Sequence, residues 1–474
     1  MTRLLFGHIL CLWTIASVTG FELGAAVPDK HANFDRNVLL RKAATTINSE
    51  LSIYRSHKPQ KENKKALRSV NDASDLKKKD LCEHYDCCDL EDSTCNISDM
   101  KKDTSTLVFP GGETRCIYSD STPYAFQVFP GATDKLLFYF QGGGACWDKM
   151  SDSLGFCSTD VSPQISAGIF DRSDPLNSYR DYTIVHAMYC SGDVWGGNTT
   201  RPYNDKQGIP VQQVGYYNAR ATLDWVEQQQ SSNFLASTFS SLVIMGCSAG
   251  SVGAQLWGKT VLNSLSWKIA TVVPDSYAGV FPPGSQGPLI YDYGLCTWAP
   301  TFLSQELVDA CLEQSLDLQM IMNYQIPLTP NVPYAYIQSK ADVVQQSFYV
   351  AIGVTTANSS AFIDPALFYE GVNEVFSEYN SHPNFLTYLV DGGQHCFTPA
   401  NVFYEADAKG PHDDGETNEG EMMYEWTYSF PLSDGESIST ICEGDYVNGA
   451  ILQAEEGPTY CNTSVAPKDY MAPY

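Results

Sequence analysis

Gly246-Cys247-Ser248-Ala249-Gly250 sets a serine between two glycines, each two residues away, directly after the apolar run Leu242-Val243-Ile244-Met245. Four apolar residues in a row read as a buried strand, and Ser251-Val252-Gly253-Ala254 can open a helix. Glycines at those spacings suit a strand-to-helix turn too tight for side chains. Such a turn lifts the serine hydroxyl above the sheet, at the positive end of the following helix. The chemistry on offer is nucleophilic attack on a carbonyl. Without the strand before it and the helix after it, the same pentapeptide would be an ordinary Gly/Ser turn.

A serine nucleophile needs a base, a group that orients the base, and donors for the oxyanion. On sheet-based hydrolases these follow in the chain order serine, acid, histidine. Three histidines follow Ser248: His382, His395 and His412. His412 lies in an acidic stretch and His382 precedes Pro383 in a turn. His395 directly follows the strand-like run Phe385–Val390, in Val390-Asp391-Gly392-Gly393-Gln394-His395-Cys396, so it is the favoured base. For the acid, Asp342 follows the run Tyr334–Ile337 and is preferred to Asp275, which follows Ile269–Val273; Asp391 stands too near His395 in the chain. The oxyanion donors should be backbone N–H groups, rigid and aimed where charge develops. Ala249 offers one, and the glycines of Gln141-Gly142-Gly143-Gly144-Ala145-Cys146-Trp147 offer others. A phosphate-binding turn is disfavoured there, because its Lys and Ser/Thr are missing.

The elements that must hold these groups alternate between strand and helix. Leu136–Phe140 and Tyr182–Tyr189 read as further strands, and Val214, Tyr217, Ala221 and Trp225 keep helical spacing before the nucleophile strand. Leu307 to Met322 reads as one amphipathic helix. This pattern predicts an α/β fold with a mainly parallel sheet covered by helices on both faces.

The chain has 474 residues, a net charge of −26 and 43% apolar residues, enough for a sizeable core. That charge argues against a nucleic-acid partner, whose phosphates would be repelled. It is unevenly placed. Residues 1–102 carry 16 Lys and Arg against 14 Asp and Glu, whereas residues 103–474 carry 13 against 41. Residues 1–20, with Arg3, an apolar run from Leu4 to Val18 and small residues at the end, have the pattern of a secretory signal peptide. Residues 21–80 are basic and poor in large apolar side chains, which predicts a linker or pro-segment, with a basic docking arm as the alternative. Residues 81–104 form a Cys-rich segment, and residues 105–474 the folded catalytic domain. Removing Cys11 with the signal leaves fourteen cysteines, an even number suited to an oxidising compartment. Disulfides are therefore favoured over zinc for Cys82, Cys87, Cys88, Cys95 and Cys116, with connectivity open. Sequons at Asn96, Asn198, Asn358 and Asn462 fit a secreted glycoprotein with no transmembrane segment after signal removal. Asp407 to Glu425 reads as a solvated acidic loop, its spacing matching no calcium-binding loop.

The ordered set resembles the pectin acetylesterase family, which includes the Notum-type carboxylesterases. The similar stretches are Cys116–Tyr124, the glycine loop 142–146, Tyr189-Cys190-Ser191-Gly192-Asp193, the serine motif, Asp275-Ser276-Tyr277-Ala278-Gly279, Asp342 and His395-Cys396. The resemblance covers about residues 105–400 and implies an α/β-hydrolase fold that removes acyl esters with a Ser-Asp-His triad and no metal or other cofactor. Carried over, it makes Ser248 the nucleophile, His395 the base, Asp342 its orienter, and Gly143, Gly144 and Ala249 the oxyanion donors. Two departures bear on the pocket: Ala145 stands where the family usually has Trp, with Trp147 after the cysteine, and Gln141 replaces an acidic residue. The implied activity is that of a secreted carboxylesterase acting on an acetylated polysaccharide or another acyl ester. A protein deacylase acting on a longer acyl chain, and a non-catalytic secreted binding protein, are the alternatives. The body's net charge of −28 would repel pectin itself at neutral pH.

Overall fold

The computed structural model describes residues 36–55, 70–102, 104–164, 166–356, 362–406 and 422–430, with short strand pieces between 438 and 470. Residues 1–20, His412, most of the acidic stretch and the sequons at Asn358 and Asn462 lie outside the described residues.

Strands in chain order are β1 (Asp86–Asp89), β2 (Thr106–Phe109), β3 (Phe126–Phe129), β4 (Ala132–Phe140), β5 (Tyr182–Ala187), β6 (Thr199–Asn204), β7 (Pro210–Gln213), β8 (Phe239–Cys247), β9 (Trp267–Asp275), β10 (Tyr334–Ser339) and β11 (Phe385–Val390). β6 and β7 form a separate hairpin. The others build a ten-stranded sheet in the order β1-β2-β3-β5-β4-β8-β9-β10-β11, closed at the far edge by Ile441–Cys442. β3 runs antiparallel to both its neighbours, while every pairing from β5 through β11 is parallel. Parallel strands need crossovers, and the crossovers here supply the helices that cover the sheet.

Helices in chain order are α1 (Arg36–Arg55), α2 (Val70–His84), α3 (Lys149–Ser153), α4 (Gly215–Ser231), α5 (Ala249–Ser264), α6 (Gln286–Asp292), α7 (Gln305–Leu312), α8 (Leu318–Gln325), α9 (Val343–Thr355), α10 (Pro365–Tyr379) and α11 (Met423–Ser429). Strand alternation splits the core between the two faces. Leu136, Phe138 and Phe140 of β4, with Leu242 and Ile244 of β8, pack with α4, α5, α8 and α10 on one face. Leu137 and Tyr139, with Val243 and Met245, face α11 and the segments around Phe170 and Phe403 on the other. This is the mainly parallel sheet covered by helices on both faces that the alternation predicts, in the α/β-hydrolase arrangement that the resemblance implies. No described helix is long and apolar enough to cross a membrane.

One local expectation changes, and two others gain detail. The helix expected over Leu307–Met322 is two helices, α7 and α8. Gln314 adopts a left-handed conformation between them, and Asp317 caps α8 by accepting from the Met320 N–H at 2.7 Å. Within α4 the buried residues include Ala219, Leu223 and Val226 besides Trp225, whereas Tyr217 and Ala221 are half-buried. Residues 21–80, expected as linker or pro-segment, contain α1 and most of α2. Neither helix holds a core of its own; each is completed by the body. Lys77 pairs with Asp160 at 2.8 Å, Lys78 pairs with Asp89, and Cys82 and Cys87 are bridged beside β1. The sheet itself begins at β1, inside the Cys-rich segment.

The ends of β10 and β11 are joined beneath the site. Lys340 is fully buried and its Nζ lies 2.7 Å from Asp391 Oδ1, while its N–H donates to the Val390 carbonyl at 2.9 Å. Removing the cation alone leaves a mostly buried carboxylate without its charge partner, which costs up to roughly 3–5 kcal/mol. Lys340→Met should therefore lower stability by about that amount in urea unfolding, and Lys340→Met with Asp391→Leu should recover much of the loss. An unchanged midpoint for the single variant would show that the pair does not hold these strand ends.

Candidate active site

Five neighbouring parallel strands, β4, β8, β9, β10 and β11, end on one edge of the sheet, so their following loops meet there. This is where open α/β sheets bind ligands. The five loops carry the glycine run, Ser248, Asp275, Asp342 and His395 respectively.

Ser248 has φ 59° and ψ −122°, a strained conformation for a residue with a side chain, between β8 and α5. The flanking glycines make it possible. A Cβ on Gly250 would fall 1.9 Å from the Phe140 carbonyl oxygen, and one on Gly246 would fall 2.2 Å from that of Gly250. The Ser248 N–H donates to the Asp275 carbonyl at 3.0 Å, tying the turn to the next loop. Cys247 and Cys396 form a disulfide, so the residues beside Ser248 and His395 are covalently linked. Cys247, His395 and Cys396 approach closely enough to hold a metal. With both sulfurs in the bridge, however, no thiolate is left to bind one.

His395 Nδ1 donates to Asp342 Oδ2 at 2.7 Å, and both side chains are buried. Asp342 also caps α9. Its Oδ1 accepts from the N–H groups of Val344 and Gln345 at 3.0 and 2.9 Å, and its Oδ2 accepts from Gln345 Nε2 at 2.9 Å. A buried carboxylate so placed is solvated by peptide dipoles and by the helix N-terminus. Asp275, the alternative acid, is spent differently. Its Oδ2 accepts from Phe397 N–H, Thr398 N–H and Thr398 Oγ1 at 3.0, 2.8 and 2.7 Å. Asp275 thus fixes the loop after His395 and does not bond the ring. His382 sits elsewhere, against Asn323, and Asp391 faces Lys340.

With Nδ1 protonated, Nε2 carries the lone pair. It is buried and makes no hydrogen bond among the described residues, so it does not contact the Ser248 hydroxyl here. Such contacts often tighten only when substrate is bound. Burial pulls the His395 pKa down, but the charge and hydrogen bond of Asp342, aided by Glu50 and Asp275, outweigh it and raise the pKa above the usual histidine value.

Gly144 and Ala249 line the cavity beside Ser248 and His395, and their N–H groups donate to no backbone carbonyl among the described loop contacts. Gly144 has φ +71°, and a Cβ there would meet the Phe156 carbonyl oxygen at 2.0 Å. Gly143 lies one step back. Its carbonyl accepts from the Ser158 N–H at 2.8 Å, and it does not line the cavity. The Cys146–Cys157 disulfide and Gln141, which donates to the Ser162 carbonyl and accepts from the Tyr189 N–H, hold the loop in place.

Neither family profiles nor curated protein sequences match the chain. Among solved structures it is similar to the Wnt deacylase Notum from Drosophila. The identity is 16%, the TM-score 0.46, and the match covers 69% of this chain and 93% of that one.

The cavity runs from Ser248 between α5, α6, α8 and α9. Val252, Leu256, Phe281, Leu289, Ile321 and Phe348 make its walls mostly apolar. These residues carry no sequence signal. They are core-type side chains on helices, and only the tertiary packing turns them toward the serine.

The bonded proton on His395 links the site to stability. Because the folded pKa is raised, this contribution is complete below the unfolded value of about 6.5 and fades as pH rises through the folded one. Wild type should therefore exceed His395→Gln in stability most strongly in acid, with the gap closing towards alkaline pH. NMR titration of the ring should place its pKa above about 6.5 and move it down in Asp342→Asn. A wild-type ring titrating at or below that value would refute the assigned balance.

Proposed function

We propose that the protein is a secreted serine carboxylesterase with Ser248 as nucleophile, His395 as general base, Asp342 as orienter, and the N–H groups of Gly144 and Ala249 as oxyanion donors, with Gly143 shaping their loop. The observation that carries this reading is the hydrogen-bonded pair His395–Asp342 beside a strained Ser248, at the end of a deep apolar cavity. Ser248 Oγ attacks the ester carbonyl as Nε2 takes its proton. The tetrahedral oxyanion forms against the two N–H groups, and the alcohol leaves with the proton returned by the imidazolium. Water, deprotonated by the same nitrogen, then attacks the acyl-enzyme and frees the acid and the serine. A secretion-type leader in the sequence and six disulfides among the described residues support an extracellular site of action.

The cavity favours one branch of the substrate reading. An acetyl group would occupy only the part next to Ser248, whereas an alkyl chain would bury its methylenes along Leu256, Leu289 and Ile321. Each buried methylene contributes about 0.8 kcal/mol. The proposed substrate is thus an ester with a medium or long acyl chain, and the acyl acceptor lies outside the cavity.

Fluorophosphonate labelling with peptide mapping tests the nucleophile, and nitrophenyl esters of increasing chain length test the cavity. Label should fall on Ser248, and Ser248→Ala should lose turnover by roughly four orders of magnitude or more with its melting temperature kept. kcat/KM should rise over several methylenes. It should also rise with pH as His395 loses its proton, with a midpoint above about 6.5. Label on another residue would overturn the assignment, and a sharp preference for acetate would restore the acetylesterase reading.

A further inference from the structure

The cavity has a measurable depth, because one helix gives it a scale. Ser248 stands at the N-cap of α5, and Val252 and Leu256 of that helix line the cavity with it. The three are four residues apart, so they share one helix face. At a rise of about 1.5 Å per residue, Val252 lies about 6 Å and Leu256 about 12 Å from the serine along the axis. Both are buried, at 6% and 3% exposure. The apolar stripe therefore leads inward from Ser248 for two helical turns.

At the second turn the stripe meets two other segments. Gly196 and Leu295, both buried, also line the cavity. A Cβ on Gly196 would lie 3.2 Å from Leu295 Cδ1 and 3.3 Å from Leu256 Cδ1, so the three residues converge. The backbone around Gly196 is held rigidly. Val194 and Trp195 have φ of 50° and 68°, a left-handed conformation that β-branched and bulky residues rarely take. Asp193, wholly buried, fixes it by accepting from Ser191 Oγ at 2.6 Å, the Trp195 N–H at 3.2 Å and the Gly215 N–H at 2.6 Å. The Val194 N–H donates to the Tyr189 hydroxyl at 2.7 Å. The carbonyls of Trp195 and Gly196 accept from the indoles of Trp257 and Trp298 at 3.0 and 2.9 Å. Trp195 also lies directly on α5, where a Cβ on Gly253 would fall 2.6 Å from its ring. Backbone strain persists only where the surroundings over-determine it, and here they do.

We infer that the turn Asp193–Gly197, with Leu256 and Leu295, is a fixed stop that sets acyl-chain length, so that the preferred substrate is a medium-chain ester of about eight to ten carbons. The inference rests on Ser248 being the nucleophile and the cavity holding the acyl group. A zig-zag of carbons with bonds of about 1.5 Å and angles of about 111° advances about 1.25 Å per carbon. The distance to Leu256 is then spanned by about nine or ten carbons, and its side chain, leaning back toward the helix N-terminus, occupies the last one or two. Val252 stands beside about the fifth carbon. A shorter chain leaves apolar wall uncovered, and a longer one has to displace a turn that its partners hold in place.

The test uses the full chain. Wild type, Leu256→Ala and Val252→Phe are labelled with a short-chain fluorophosphonate, and kcat/KM is measured on nitrophenyl esters from acetate to myristate. Wild type should peak at octanoate or decanoate and fall at least about tenfold by myristate. Leu256→Ala should move the peak about two carbons longer, and Val252→Phe should move it to butanoate or hexanoate. The position of the peak is the readout, since lost stability or a lower overall rate would not shift it. A wild-type rate that holds or climbs through myristate, or a peak that neither variant moves, would overturn the stop, while label on Ser248 leaves the nucleophile standing. A peak at acetate would overturn the acyl-chain reading and the stop together. No label on Ser248 would defeat the nucleophile and the stop with it. If the melting temperature shows that Val252→Phe does not fold, Leu256→Ala decides.

Discussion

The site depends on keeping one carboxylate charged in a place without water. Asp342 is wholly buried, where an isolated anion would take up a proton or force the structure open. Three neighbours prevent that: the first turn of α9, the Gln345 amide and the His395 ring. Each has a second role. The helix turn needs a cap, the ring needs an orientation, and Gln345 also accepts from the Ala278 N–H in the loop after β9. Removing the carboxylate would therefore uncap a helix, free a histidine and loosen a neighbouring loop at once. The ion sits where three loops converge, and their register follows from the parallel sheet beneath.

The two candidate acids show what the sequence can and cannot resolve. Asp342 and Asp275 both follow a strand, and chain order favoured Asp342 without excluding the other. The decision lies in which carboxylate faces the ring and which faces the next loop's backbone, a matter of β9, β10 and β11 lying side by side. Asp275 is part of the same device even so. By holding Phe397 and Thr398 it fixes the chain just beyond His395. The turn at Ser248 was legible for the opposite reason. Its constraints are local, because a positive φ at Ser248 and backbone closer than a methyl group allows leave few residue types that fit.

Where the sequence was silent, the cause is long-range packing. Ala43, Ile47 and Leu51 are too few to predict a folded helix, since the other half of their contact comes from residues distant in the chain, from Ile117 to Ile352. The Cys247–Cys396 bridge spans 149 residues, and nothing in the spacing of fourteen cysteines selects it. The α7–α8 break turns on Gln314 taking a left-handed conformation, for which glutamine has no special preference. The cavity walls likewise look like core until the sheet and helices are assembled.

On the proposed function, charge and apolarity would divide the work of recognition. An acidic body repels polyanions at neutral pH, and screening by salt confines that repulsion to roughly 10 Å of the surface. The cavity, in contrast, is lined mostly by apolar side chains, where electrostatic steering contributes little. Selection by such a site would then act in two stages: the surface filters the acceptor by charge, and the cavity measures the acyl group by area buried. Only the second stage would place the ester carbonyl beside Ser248. Affinity for the acyl group would thus be spent where it positions the reacting bond. The acceptor would have to satisfy a weaker condition, to approach an acidic body without being repelled, so specificity should be sharper for the chain than for what carries it.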